Sequence, residues 1–133
     1  MKVSATVRSA SYSHEVVLRT DGSEHTLTVP PKPAGGGSSV NGGEFLMLAL
    51  ATCYCNDLFR EAARLRMALE SVEVEASAEF AGIGLAATNI TYRARVLSPA
   101  SGMQVAELLR ITDAVAEIHN TVRSGVPVTL ELP

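Results

Sequence analysis

The chain has 133 residues, 47% of them apolar and 19% charged, with a formal net charge of −3. That length fits a single domain over 1–133, able to bury about 68% of its unfolded surface, and the negative balance without any basic run argues against a nucleic-acid or anionic-membrane partner. No stretch approaches the ~20 apolar residues of a membrane span, and Met1-Lys2-Val3-Ser4-Ala5-Thr6 lacks the apolar core and cleavage site of a leader, so a cytoplasmic protein with reduced thiols is expected.

Val3, Ala5 and Val7 alternate with polar residues. His14-Glu15-Val16-Val17-Leu18-Arg19 and His25-Thr26-Leu27-Thr28-Val29 then flank the turn signal Thr20-Asp21-Gly22-Ser23, which predicts an N-terminal β-hairpin. Residues 30–39, rich in Pro, Gly and Ser, can form neither helix nor inner strand; they read as a flexible linker or as a loop at a pocket mouth.

Asn41 and Glu44 stand at capping-box spacing and open a long helix predicted from Glu44 to about Leu69. Its first half is apolar on nearly every side, as in a central buried helix, and charges return at Asp57, Arg60, Glu61, Arg64 and Arg66. Residues 71–80 and 89–97 alternate with period two around a turn at 81–84, predicting a second hairpin with one wet face. Ser98-Pro99 reads as the start of a second helix. Val105, Leu108, Leu109, Thr112, Val115, Ala116 and His119 share one stripe of it, and Gly125 ends it. Residues 126–132 predict a last strand, confined to an edge or a strand start by Pro127. Hairpin, helix, hairpin, helix, strand is an α+β order rather than a doubly wound parallel sheet.

Cys53 and Cys55 are the only thiols. On a helix, positions i and i+2 point about 200° apart, so the pair cannot close a disulfide without unwinding the backbone. There is no C-x-x-C and no second thiol pair for a metal cage. His14, His25 and His119 have no i,i+3 or i,i+4 spacing to another ligand, so neither metal nor cofactor is expected. A reactive Cys53 would need a cation or a helix N-terminus to favour its thiolate. In mid-helix the dipole gives little help, which leaves an arginine from the N-terminal strands to supply the charge; the alternative is a small buried hydrophobe.

Gly43-Glu44-Phe45-Leu46 with Ala51-Thr52-Cys53, followed by Asn120-Thr121-Val122-Arg123-Ser124-Gly125-Val126-Pro127-Val128, resembles the osmotically inducible protein C and organic hydroperoxide resistance (OsmC/Ohr) superfamily. The resemblance extends over nearly the whole chain. It implies an intertwined homodimer with two sites at its interface. In peroxidase members a first cysteine attacks an organic hydroperoxide, a second resolves the sulfenic acid, and an arginine paired with a glutamate activates the first thiol. Cys53 matches the first cysteine. The second should fall at Ala116, where no thiol exists, and Ala116-Glu117-Ile118-His119 stands where those members carry Cys-Pro-Val-Ser. Asn41-Gly42-Gly43-Glu44 likewise replaces their Asn-Pro-Glu, so the sequence resembles a divergent branch.

The resemblance therefore implies an OsmC-like stress protein acting as a one-cysteine thiol peroxidase. Cys53 would be the nucleophile, Arg19 (more weakly Arg8) the activating cation, Glu44 its orienting acid, and an external thiol the reductant. The other reading is a non-enzymatic dimer that binds a small apolar ligand at the subunit interface. Cys55, on the face of Glu44, Leu48, Ala51 and Leu58, reads as core filler, or as a resolver only across a dimer interface. His119 is either a general acid for the leaving alkoxide or a helix-end cap, and Arg123 a cap or dipole partner.

Overall fold

The computed structural model describes residues 1–133 and is mixed α+β, with the element order β1 (Val3–Ala10), β2 (Ser13–Thr20), β3 (Ser23–Thr26), α1 (Gly42–Arg64), β4 (Ser71–Glu79), β5 (Thr88–Leu97), α2 (Gly102–Val115) and α3 (Glu117–Ser124). The chain divides into two units, Met1–Phe45 and Leu46–Pro133.

In the first unit the expected hairpin is a three-stranded antiparallel sheet in the order β1-β2-β3. Two tight turns make it, and Tyr12 and Asp21 take left-handed φ angles of 66° and 51°. Asp21 suits that region, whereas a tyrosine there carries no turn signature, which hides the first turn from a sequence reading. The Pro/Gly/Ser segment is folded rather than free. Pro31 and Ser38 form an isolated bridge, the Lys32 amide donates to the Gly37 carbonyl at 3.0 Å, and the Gly37 amide donates to Ser9 Oγ at 2.7 Å. Gly35, Gly36 and Gly37 all have positive φ, at 87°, 74° and 90°, a run that only glycine tolerates. The capping box is present: the Glu44 amide donates to Asn41 Oδ1 and the Asn41 amide to Glu44 Oε2, both at 2.8 Å.

In the second unit α1 buries one stripe, Leu50, Tyr54, Asp57, Leu58, Glu61 and Ala62, at the three- and four-residue spacing of a helix face. Leu48 and Phe59 remain 52% and 47% exposed. Within one chain, then, α1 is amphipathic and not buried all round, because β4–β5 and the later helices cover only one side. It also ends earlier than expected. Arg66 adopts φ 56°, while the amides of Met67 and Arg66 donate back to the carbonyls of Ala62 and Ala63 at 2.8 and 3.1 Å. This is a Schellman ending built on arginine instead of glycine, and so without its usual residue signal.

β4 and β5 pair antiparallel, with Val72 opposite Val96, Val74 opposite Ala94 and Ala76 opposite Tyr92 on one face. That face packs with Met67, Leu69 and Leu109 against a cluster of Tyr54, Leu58, Ala62, Leu108 and Ala116. Leu58 and Leu108 are 0% exposed, each contributing about 1.5–3 kcal/mol by removal from water. The opposite face carries Glu75–Arg93 and Glu73–Arg95 ion pairs.

The second helix begins three residues later than Ser98-Pro99 suggests. Ser101 is the N-cap, its hydroxyl accepting from the Gln104 amide while Gln104 reaches back; Ser98 is drawn off to the Ala68 carbonyl. The helix is also broken. Ala116, at φ −73° and ψ 103°, ends α2 and starts α3, and Gly125, at φ 62°, closes α3 as expected. The strand expected over 126–132 is not formed. A strand needs a neighbour for its amides and carbonyls; Pro127 has no amide to offer, and neither sheet includes this segment.

Candidate functional site

Cys53 and Asp57 lie one turn apart on α1, a spacing that puts both side chains on one face. The Cys53 thiol donates to Asp57 Oδ2 at 3.6 Å and reaches Glu117 Oε2 at 4.0 Å. The break at Ala116 makes the second approach possible, because it restarts the helix and places Glu117 in the first turn of α3. The same turn directs the Ile118 backbone amide at the sulfur, where it favours the thiolate. First-turn amides of a helix have no partner within it, which leaves them free for such a role.

Against that amide stand stronger opposing influences. Burial first, then the charge and hydrogen bond of Asp57 and the charge of Glu117, push the Cys53 thiol above its ordinary value. No cation in this unit offsets them at the sulfur. Asp57 is itself buried and held by Arg60, whose Nη1 donates to Oδ1 at 2.7 Å. Arg60 also donates to the buried Glu61 at 3.1 Å, and Arg64 to the same carboxylate at 2.7 Å. Thus Oδ1 of Asp57 is committed to Arg60, while Oδ2 faces the thiol.

Beside this group is a buried aromatic cluster. The Tyr54 and Tyr92 rings meet edge to face at 4.8 Å, and His119 lies 4.4 Å from Tyr92 and 5.7 Å from Tyr54. The Tyr92 hydroxyl donates to Asp113, which Arg123 also grips at 2.5 Å; these two donors, the arginine first, hold the Asp113 carboxyl below its usual range. Burial, then the charge of Asp113, pushes Tyr54 up to about 12, and its hydroxyl donates to the Leu109 carbonyl at 2.7 Å. His119 is 3% exposed, and both ring nitrogens lack a hydrogen-bond partner. Burial, then Arg123, lowers its pKa. It therefore caps no carbonyl, contrary to one of its two expected roles. Arg123 does reach the Asp113 carbonyl at 3.4 Å, near the end of α2, yet its stronger contact is the Asp113 side chain.

The remaining expected residues divide between the units. In the N-terminal unit Arg19 pairs with Glu24 at 2.9 Å and donates to Thr6 at 3.2 Å, Arg8 pairs with Glu15 at 3.6 Å, and Glu44 is engaged in its capping box. In the second unit Cys55 is partly buried and free. Ala116 is 0% exposed in the cluster against which Cys53 packs, so a methyl group fills the place that the family resemblance gives to a second thiol. Asp57, Arg60 and Glu117 were missed as site residues. The i,i+4 spacing of Cys53 and Asp57 could have found the first; Glu117 depends on the helix break, which has no glycine or proline to mark it.

The OsmC family model, described as OsmC-like protein, matches residues 35–131. No curated protein matches the chain. Among solved structures it is similar to an OsmC-like protein of unknown function from Vibrio cholerae, at 19% identity and TM-score 0.62 over 91% of this chain and 93% of that one. It is similar also to an organic hydroperoxide resistance protein OsmC from Legionella pneumophila, at 18% and 0.62 over 92% and 90%. A third is an OsmC-like protein from Mycoplasma pneumoniae, at 18% and 0.60 over 90% and 87%. At these identities the likeness is one of fold.

Proposed function

The chain belongs to the OsmC-like protein family, and on that premise we propose that it is a stress protein reducing small organic hydroperoxides through Cys53, with an external thiol as reductant. The observation that carries this reading is the placement of the Cys53 sulfur between a carboxylate acceptor, Asp57 Oδ2 at 3.6 Å, and the Ile118 amide of α3. The solved relative from Legionella pneumophila described as an organic hydroperoxide resistance protein supports the substrate class.

In this mechanism Asp57 takes the thiol proton and the Ile118 amide steadies the thiolate. The sulfur attacks one peroxide oxygen and the O–O bond breaks. The departing alkoxide recovers the proton from Asp57, leaving Cys53 as a sulfenic acid and releasing an alcohol. Because Cys55 points away along the helix and Ala116 has no sulfur, an external thiol condenses with the sulfenic acid, expelling water, and a second thiol releases reduced Cys53 and a disulfide. Arg19 is proposed as the cation that the C-terminal unit lacks at the sulfur, with Glu44 orienting it, in a homodimer. Exposed Val128, Leu130 and Leu132, at 100%, 82% and 80%, support a partner copy, since single apolar residues at a surface are ordinary but three of them close together in one unpaired segment are not.

Titration with an organic hydroperoxide, read by intact mass, tests this function. A one-oxygen adduct is expected on the wild type and on Cys55→Ser, and none on Cys53→Ser. Oxidation no faster than that of a free thiol would remove the peroxidase reading. It would favour a non-enzymatic dimer binding a small apolar ligand, for which the raised thiol is the supporting observation.

A further inference from the structure

The three groups around the thiol have a second chemistry. Cys53 Sγ and one carboxylate oxygen each of Asp57 and Glu117 lie within 4.8 Å of one another. A tetrahedral ion with metal–sulfur bonds of about 2.3 Å and metal–oxygen bonds of about 2.0 Å holds sulfur and oxygen about 3.5 Å apart. The sulfur–oxygen separations here are 3.6 and 4.0 Å, so modest side-chain rotation closes the set around an ion.

Two further features point to a ligand. Arg60 fixes Oδ1 of Asp57 at 2.7 Å and leaves Oδ2 directed at the sulfur, the outer-shell anchoring that orients a ligating carboxylate. Glu117 has no ion pair of its own.

We propose that Cys53, Asp57 and Glu117 bind a thiophilic divalent cation of the zinc type, with water in the fourth position. Binding exchanges the thiol proton for the metal, so one proton leaves per ion bound. The sulfur lone pair that would attack a peroxide is then held in the metal–sulfur bond. The ion is thus a reversible block on Cys53, a consequence that rests on the peroxidase reading, whereas the binding itself does not.

Cobalt(II) titration of the reduced, chelator-treated full chain tests the binding without any peroxide. The expected result is one ion per chain, a thiolate-to-cobalt charge-transfer band and the visible bands of a four-coordinate site. Cys53→Ser should abolish the charge-transfer band, Cys55→Ser should preserve it, and Glu117→Gln should weaken binding roughly tenfold or more. Circular dichroism confirms that each variant is folded. No charge-transfer band, a band surviving Cys53→Ser, or wild-type affinity in Glu117→Gln would overturn the proposal. Zinc protection of Cys53 against hydroperoxide is then read separately by mass. A protein that binds cobalt through Cys53 but never forms the one-oxygen adduct keeps the metal site and loses only the peroxidase reading.

Discussion

Asp57 Oδ2 sits 3.6 Å from the Cys53 sulfur while Oδ1 is held 2.7 Å from Arg60, so one buried carboxylate acts on the thiol as both a charge and a proton acceptor. The two roles have opposite consequences. As a charge, Asp57 raises the thiol pKa; as an acceptor, it is the proposed carrier of the proton that a leaving alkoxide would recover.

Asp57→Asn separates them. Losing the negative charge lowers the Cys53 pKa, so alkylation by iodoacetamide should reach its midpoint at lower pH. Loss of the proton carrier should slow oxidation by organic hydroperoxide on the order of 10²-fold. Unfolding in urea should show a cost of about 1–3 kcal/mol, because Arg60 and the thiol lose part of their buried partner. An alkylation profile unmoved or shifted upward would show that the carboxylate charge does not govern the thiol.

His119 predicts an acid-sensitive fold. Burial and Arg123 depress its pKa in the folded chain, so between that value and the unfolded value of about 6.5 the unfolded chain binds more protons. This stability is present above about pH 6.5 and is lost as pH falls, with a slope of at most about 1.4 kcal/mol per pH unit. Asp113 and Asp57 act in the opposite direction and moderate it. His119→Phe should flatten the pH dependence of Tm over pH 5–7, and a variant as acid-sensitive as the wild type would assign that loss to other groups.

At the end of α1, Arg66 is left-handed, with φ 56°. Arg66→Gly should stabilise the chain by about 0.5–1 kcal/mol, since glycine adopts this conformation without steric cost. A lower Tm would mean that the Arg66 side chain contributes more than its backbone strain removes.

The exposed tail bears on the proposed homodimer. Leu130→Lys places a charge between the exposed Val128 and Leu132 and should shift light-scattering mass towards the monomer, while far-ultraviolet dichroism is retained. A wild type already monomeric at high concentration would rule the dimer out.

What the sequence disclosed follows from which signals are local. Period-two alternation located β4 and β5, the Asn41–Glu44 pair located the start of α1, and Gly125 located the end of α3. Endings made by unusual residues were hidden. Arg66 occupies a glycine position, Tyr12 turns a hairpin without turn chemistry, and Ala116 breaks a helix with the residue most suited to continuing one. The expected strand after Gly125 shows the same limit from another side: its alternation is real, but a strand exists only where something pairs with it. At the candidate site, Cys53 stands out by its motif. Its carboxylate neighbours do not, because Glu117 is 64 positions away and reaches the sulfur only through the break at Ala116.

That break makes the acidity of the thiol a matter of backbone torsion. With ψ of 103° at Ala116, the chain gains a second positive helix pole beside the sulfur, where an uninterrupted helix would have kept its only one back at Gly102. A change that straightened this single residue would remove roughly half an elementary charge from the vicinity of the thiol and carry the opposing Glu117 carboxylate away with it. Electrostatic tuning of the sulfur is thereby written into the main chain, out of reach of any survey of charged residues.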